Sequence, residues 1–542
     1  MKYFYCLLLS ICFFPFLAEA QVPVLAPKTT TTTADDTLVT VEILQARKLE
    51  MRKVNDSTQL QILAGNVKLK QGTTYFDCDS CVVNNGNNTF EAWGRVHIND
   101  ADTTDVYANH LLYLTRRKLA YLDGNVKLTD GKGTLTTPDL EYDVNTKIGI
   151  YKNGGKVVNK NTVLTSKEGY YYSDLKDVYF KNNVVLKDPA YDLRTDSLLY
   201  NTETETARFI AETVIKDSSG RTIETREGFY NLETGQAEFG RRPKIRDGKM
   251  TIDADEVAFD DKNGTTQARG NVIIIDSVQN TTIVAGEVFR NNKTEAIMAT
   301  RKPLMIVKQD KDSIYITADT LFTARLSDLY GQKDTLIKDT VKGTTVVREE
   351  NVRDSTNRYF EAYRNVRIFS DSMQSVCDSM FYSFRDSVFR LYDDPIVWAQ
   401  ESQVTGDTIF LFTKNKKADR FEVFEKSFLV NQTDPEVFNQ VKASRMDGYF
   451  TDGNVDSVRA KGFAACIYYI QDDDSAYTGI NESTCDIMDI YFRNKELQKV
   501  IFRSSVAGTI WPISQKKPSE MRLPGFQWQE ARRPKTKYEL FE

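Results

Sequence analysis

The residue types that most often carry catalysis are few in this 542-residue chain, and their spacing gives them little to work with. There are two histidines, His97 and His110, and no serine or cysteine nucleophile phrase stands near either. Cys78-Asp79-Ser80-Cys81 has the spacing of a redox or metal pair. No second pair accompanies it, so a local disulfide or two incidental thiols are the readings it supports. Acidic runs such as Asp393-Asp394 and Asp472-Asp473-Asp474 fall at turns, where Asp is favoured for bonding nearby backbone. A glycosidase needs two carboxylates facing each other across a cleft, a relation that spacing alone does not express. The calcium-binding Gly-Gly-x-Gly-x-Asp repeat is absent from the sequence. These residues predict no enzyme, no metal site and no cofactor.

What remains is the chemistry of apolar surface, and it is periodic. Gly65-Asn66-Val67-Lys68-Leu69 recurs as Gly124-Asn125-Val126-Lys127-Leu128 and Gly270-Asn271-Val272-Ile273-Ile274. Looser copies, among them Gly94-Arg95-Val96 and Asn183-Val184-Val185-Leu186, put the first Val or Ile at 67, 96, 126, 157, 184, 214, 245 and 272. The steps of 27 to 31 residues define a repeat of about thirty. A second phrase lies between the copies, as in Asp139-Leu140-Glu141-Tyr142-Asp143 and Asp255-Glu256-Val257-Ala258-Phe259, each followed by a polar turn. Two-residue alternation bounded by Asn, Asp and Gly is the signature of strands in hairpins. Each unit therefore supplies about two strands with one apolar face. A single unit cannot bury that face, whereas stacked units can.

The predicted fold is all-β: an elongated repeat of antiparallel strands forming a folded sheet or a two-sheet jelly roll with one apolar interior; the alternation does not say whether that jelly roll is open. The inward positions are Val67, Leu69, Leu111, Tyr113, Val126, Leu128, Leu140, Tyr142, Val184, Leu186, Val257, Phe259, Val272 and Ile274. They either line a groove or pack against one another as core, and the aromatics Tyr113, Tyr142 and Phe259 could line such a groove or close it. Lys68, Lys70, Lys127 and Lys187 point the other way, as solvated outer residues, as guards against edge pairing, or as phosphate contacts. Val39, Val41 and Ile43 alternate in the manner of an edge strand.

The remaining segments frame this ladder. Lys2, the apolar run Leu7 to Leu17 and Ala18-Glu19-Ala20 read as a signal peptide over 1–20, cleaved before Gln21, and so predict export to the periplasm. Ile11 is bulky where a lipoprotein signal before Cys12 needs a small residue. Residues 21–38, with Pro23, Pro27 and a threonine run, read as a flexible leader. The repeat region spans 39–326, a charged insertion or linker 327–357, a second repeat region 358–512 and a charged tail 513–542. The net charge of −5 is small and spread out, which leaves no basic stripe for nucleic acid.

The periodic Gly-Asn-Val-x-Leu phrase, alternating with the Asp-x-Leu-x-Tyr-like strand, resembles the OstA/LptA-like family of lipopolysaccharide transport proteins. The resemblance covers 40–325 well and continues less regularly to about 510. It implies a jelly roll open along one side, with lipid A acyl chains riding in the apolar groove. It also implies association with the outer membrane, and pairing of terminal strand edges with other envelope proteins of like fold. The outward lysines would then be candidates for headgroup phosphates. Against this stands a structural or adhesive β-solenoid that binds protein or glycan through its outer face.

Overall fold

The computed structural model describes residues 40–541, apart from 55–58, 309–312, 331–335, 342–343, 350–357, 415–416, 452–453, 473, 475 and 494–495. Val39 and the leader lie outside the described residues. Antiparallel strands follow one another in chain order: Gln59–Gln71, Thr74–Asn84, Thr89–Asp100, Thr104–Leu114, Leu119–Thr129 and onward. The fold is all-β, as the alternation requires.

The recurring Gly-Asn pair makes the corner of the fold. Gly65 and Asn66 have φ of 82° and 47°, and the register steps from Ala64↔Ser80 to Val67↔Cys78. Two residues of one strand thus face one of its partner, and such a bulge bends the strand sharply. The same left-handed pair occurs at Gly94-Arg95, Gly124-Asn125 and Gly270-Asn271. At these corners a glycine does more than permit positive φ. A Cβ on Gly124 would come within 2.9 Å of the Asn109 Cβ, and one on Gly270 within 2.4 Å of an Asp255 carboxylate oxygen.

Every long strand therefore contributes to two walls that meet along a spine of corners. The first wall holds segments such as 60–64 and 80–84; the second holds 67–71 and 74–78. Alternation sends Leu63, Cys81 and Val83 inward from the first wall and Val67, Leu69 and Phe76 inward from the second. These residues join one apolar core that runs the length of the ladder.

The structure adds detail to two of the framing segments. The charged stretch after Leu326 does not divide the sheet, because Ser313–Thr317 and Thr320–Arg325 pair directly with Arg358–Phe369. The stretch opens with a one-turn helix, Leu326–Tyr330, and holds the hairpin Leu336–Val341 with Thr344–Glu349. It leaves from the outer end of a hairpin, so the hydrogen-bond ladder closes beneath it. The charged tail after Pro512 turns back in short 3-10 segments and lies on the outer face of the second wall.

Candidate functional site

All fourteen inward candidates face the space between the walls, and each is buried. Val67, Leu69, Val126, Leu128, Val184, Leu186, Val272 and Ile274 lie on the second wall, while Leu111, Tyr113, Leu140, Tyr142, Val257 and Phe259 lie on the first. Val67, Val126 and Val272 occupy equivalent places one after another along the second wall, each just past a corner. The space itself is filled. A cavity beneath Tyr191 and Tyr230, lined also by Leu186, Leu193, Phe209 and Ile215, measures about 10 Å³. That is close to the minimum for a single water.

The walls are covalently continuous at the corners; on the opposite side, their lips meet through side chains. Tyr113 donates from its hydroxyl to Gln71 Oε1 at 2.6 Å, and Gln71 Nε2 donates to the Thr115 carbonyl at 3.1 Å. Tyr142 donates to Asp100 at 3.0 Å, and Thr74 donates to the same carboxylate. Asn159 Nδ2 donates to the Thr202 carbonyl at 2.7 Å and to the Tyr200 hydroxyl at 3.2 Å. Farther along, Lys160 pairs with Glu205, Tyr191 and Arg221 meet Asp261, and Arg290 meets Asp247 at 2.7 Å. Burial pushes the Tyr200 hydroxyl up to about 12, so this seam is made of neutral phenols across the ordinary pH range.

The aromatics thus close the interior at its lip. Tyr113, Tyr142, Tyr171, Tyr200 and Tyr230 recur at steps of 29 or 30 residues, and their ring bodies pack in the core while their hydroxyls reach the seam region. Sequence reasoning picked out Tyr113 and Tyr142 but missed Gln71, Asp100, Asn159 and Asp261. A signal existed: polar residues at 71, 100, 130 and 159 keep the same thirty-residue step.

The outward residues behave as an outer surface. Lys68 lies 3.5 Å from Asp77, and Lys70 and Lys127 lie over the rings of Tyr75 and Tyr107. His97 stacks on Tyr107 and bonds Asp105 at 2.8 Å; His110 sits between Asp123 at 2.7 Å and Glu91 at 3.0 Å. Burial works against the charged imidazole of His110, but the two carboxylates prevail and raise its pKa. Cys78 and Cys81 are free, buried thiols of the core, and burial together with the neighbouring Cys78 thiol drives the Cys81 pKa well above the usual range. Among the described residues no group of three or more His, Cys, Asp or Glu is placed to hold a metal.

At the first edge, Glu42–Gln45 and Lys48–Lys53 both pair with Gln59–Gln71, and among the described residues no further strand pairs with them. Val41 is half-buried against the core, while Ile43, Leu49 and Met51 are exposed. Ile43 stands opposite Leu69, so it continues the inward row past the last covered level.

Residues 38–196 match the family model described as OstA-like protein. Among curated proteins none matches the chain. The matched span contains the most regular corners and the Gln71, Asp100 and Asn159 seam. At the level of the family, this match supports a lipid-transport type of envelope protein. Over residues 38–196 the chain is OstA-like, in line with the resemblance carried by its repeat.

Proposed function

We propose that this protein is an exported, periplasmic carrier or bridge component that moves lipopolysaccharide toward the outer membrane. Its acyl chains would lie between the two walls once the lips part. One observation carries the reading: the walls share a covalent spine on one side, and among the described residues the bonds that join them on the other are made by side chains. Such hydrogen bonds contribute roughly 1 kcal/mol net apiece, so a stretch of lip can separate at modest cost if apolar ligand surface replaces wall-to-wall contact. The exposed first edge, with Ile43 beside the open end of the interior, suits strand addition by an envelope partner of similar fold. Proline at Val41 should then weaken that assembly while leaving distant repeats folded.

The test is capture of lipopolysaccharide by the full-length protein, read by copurification and by crosslinking from the interior. The wild type should carry lipid, and a folded Val126→Asp or Val272→Asp variant should not, because an unpaired charge is disfavoured in an apolar channel. Undiminished capture by a folded charged variant would remove the interior from the lipid path. The filled interior favours a second reading, a closed solenoid scaffold that binds protein or glycan through its outer face. That reading predicts a lipid-free protein.

A further inference from the structure

The outer face of the second wall changes character along a single lateral row. Residues directly opposite one another in antiparallel strands share a face. Near the middle of the ladder this row reads Lys187, Asp192, Lys216, Thr222 and Arg246. Those are ordinary residues for a wet surface. Beyond Phe369 the same row reads Gln374, Trp398, Gln403, Val430, Gln440 and Ile467. All six are buried, with exposures of 6, 0, 1, 1, 0 and 2%. An outward-facing row this dry must be covered.

The C-terminal segment covers it, and in a periodic way. Gln440 donates to the Met521 carbonyl at 2.9 Å and accepts from the Leu523 amide at 2.8 Å. Gln403 repeats both bonds, to Gln527 and Gln529, at 2.8 Å each. Gln374 accepts from Arg533 Nε at 2.8 Å. Met521, Gln527 and Arg533 are six residues apart, so the segment advances six residues for every second strand of the wall. Each glutamine presents both a donor and an acceptor, which lets it imitate a strand neighbour at one point. Arginines then fasten successive lip turns: Arg522 to the Glu436 carbonyl at 2.7 Å and Arg533 to the Gln400 carbonyl at 2.9 Å. Phe438 packs on Phe526 and Trp528 between these points.

We infer that residues 518–541 are a clamp on the outside of the second wall, which holds the C-terminal repeats as a rigid platform and confines parting of the walls to the unclamped repeats before residue 313. A wall can swing about its corners only if its strands change twist and spacing. A segment bonded to alternate strands, with aromatic side chains wedged between the bonds, opposes that change. Among the described residues no such segment lies on the row of Lys187, Asp192 and Lys216, whose side chains are exposed. The division of labour rests on the carrier reading; the clamp itself does not.

Amide hydrogen exchange on the full chain, alone and with lipopolysaccharide micelles, tests both parts. In Gln403→Leu/Gln440→Leu, exchange at 402–405 and 437–443 should rise at least tenfold without lipid, while 59–290 stays unchanged. Unchanged exchange at 402–405 and 437–443 overturns the clamp. Arg533→Ala, which removes only the fastenings to Gln374 and Gln400, should raise exchange around 374–377 and 400 alone and serves if the double variant fails to fold. With lipid, altered exchange in the wild type should be limited to repeats before 313 and should spread into 366–443 in the loosened variant. Equal changes in both halves of the wild type overturn the confinement. Absence of any lipid effect overturns the carrier reading and leaves the lipid-free comparison to decide the clamp.

Discussion

The repeats before the charged insertion and those after it share corners, walls and a continuous core, yet they are secured differently. In the first region the lips are tied across the interior, by Tyr113 to Gln71, Tyr142 to Asp100 and Arg290 to Asp247. In the second, the outer face of one wall is tied along its length by the C-terminal segment. Bonds across an interior can be exchanged for a ligand placed between the walls. Bonds along the outside cannot, since a ligand in the interior never meets them. The comparison teaches that one repeat can serve two mechanical purposes through residues outside the apolar pattern.

Removing residues 516–542 should have the largest effect on this contrast. It uncovers Trp398, Val430, Phe438 and Ile467. Re-exposing side chains of this kind costs about 1.5–3 kcal/mol each. Denaturant unfolding should show the C-terminal repeats losing several kcal/mol and melting before the N-terminal ones; a single unshifted transition would break the comparison. Gly124→Val comes next, at about 2–3 kcal/mol, since a β-branched residue must take φ of +79° with its Cβ against Asn109. The loss should appear in the first region alone. Asn183→Gly, at a corner with φ of 57°, should be tolerated within about 1 kcal/mol.

Tyr142→Phe is smaller again. It deletes one bond of the seam and keeps the ring, so stability should fall by about 1–2 kcal/mol. Lipid capture should become faster if the lips gate access, and stopped-flow mixing with a fluorescent lipopolysaccharide would measure that rate. The smallest effect belongs to His110. Its raised pKa means the folded state binds a proton more tightly, so the contribution is complete below the unfolded value near 6.5 and is lost as pH rises through the folded value. Because both carboxylates are well exposed to solvent screening, His110→Ala should cost only ~0.5 kcal/mol at pH 5.5 and less at pH 8, as read by thermal melts.

Much of this architecture was legible where chemistry and geometry coincide. Gly-Asn at 65–66, 124–125 and 270–271 announces the corner because those residues take left-handed backbone easily. The same corner is built from Arg301-Lys302, Asp393-Asp394 and Glu425-Lys426, where tertiary pairing imposes the conformation and the sequence motif vanishes. That is why the repeat becomes less regular in sequence after residue 325 although its strands continue. The inward row was legible from alternation, but whether it is groove or core depends on how closely the walls approach. Gln71, Asp100 and Asn159 decide that approach from strand ends, where polar residues ordinarily signal only a turn. Gln374, Gln403 and Gln440 were hidden for a related reason: an outward glutamine on a strand looks solvated until a distant segment covers it.

The central claim, that lipid enters by parting the lips, is most directly tested by tying them together. Cysteines placed at Gln71 and Thr115, opposite each other across the seam, can be joined by a short bismaleimide, while the native thiols among the described residues stay buried. Tying one rung leaves its neighbours free, so a second pair at Lys160 and Glu205 completes the restraint. The account predicts that the doubly tied protein, still folded, no longer captures lipopolysaccharide, whereas the same variant left unjoined does. Equal capture by tied and untied protein would contradict it.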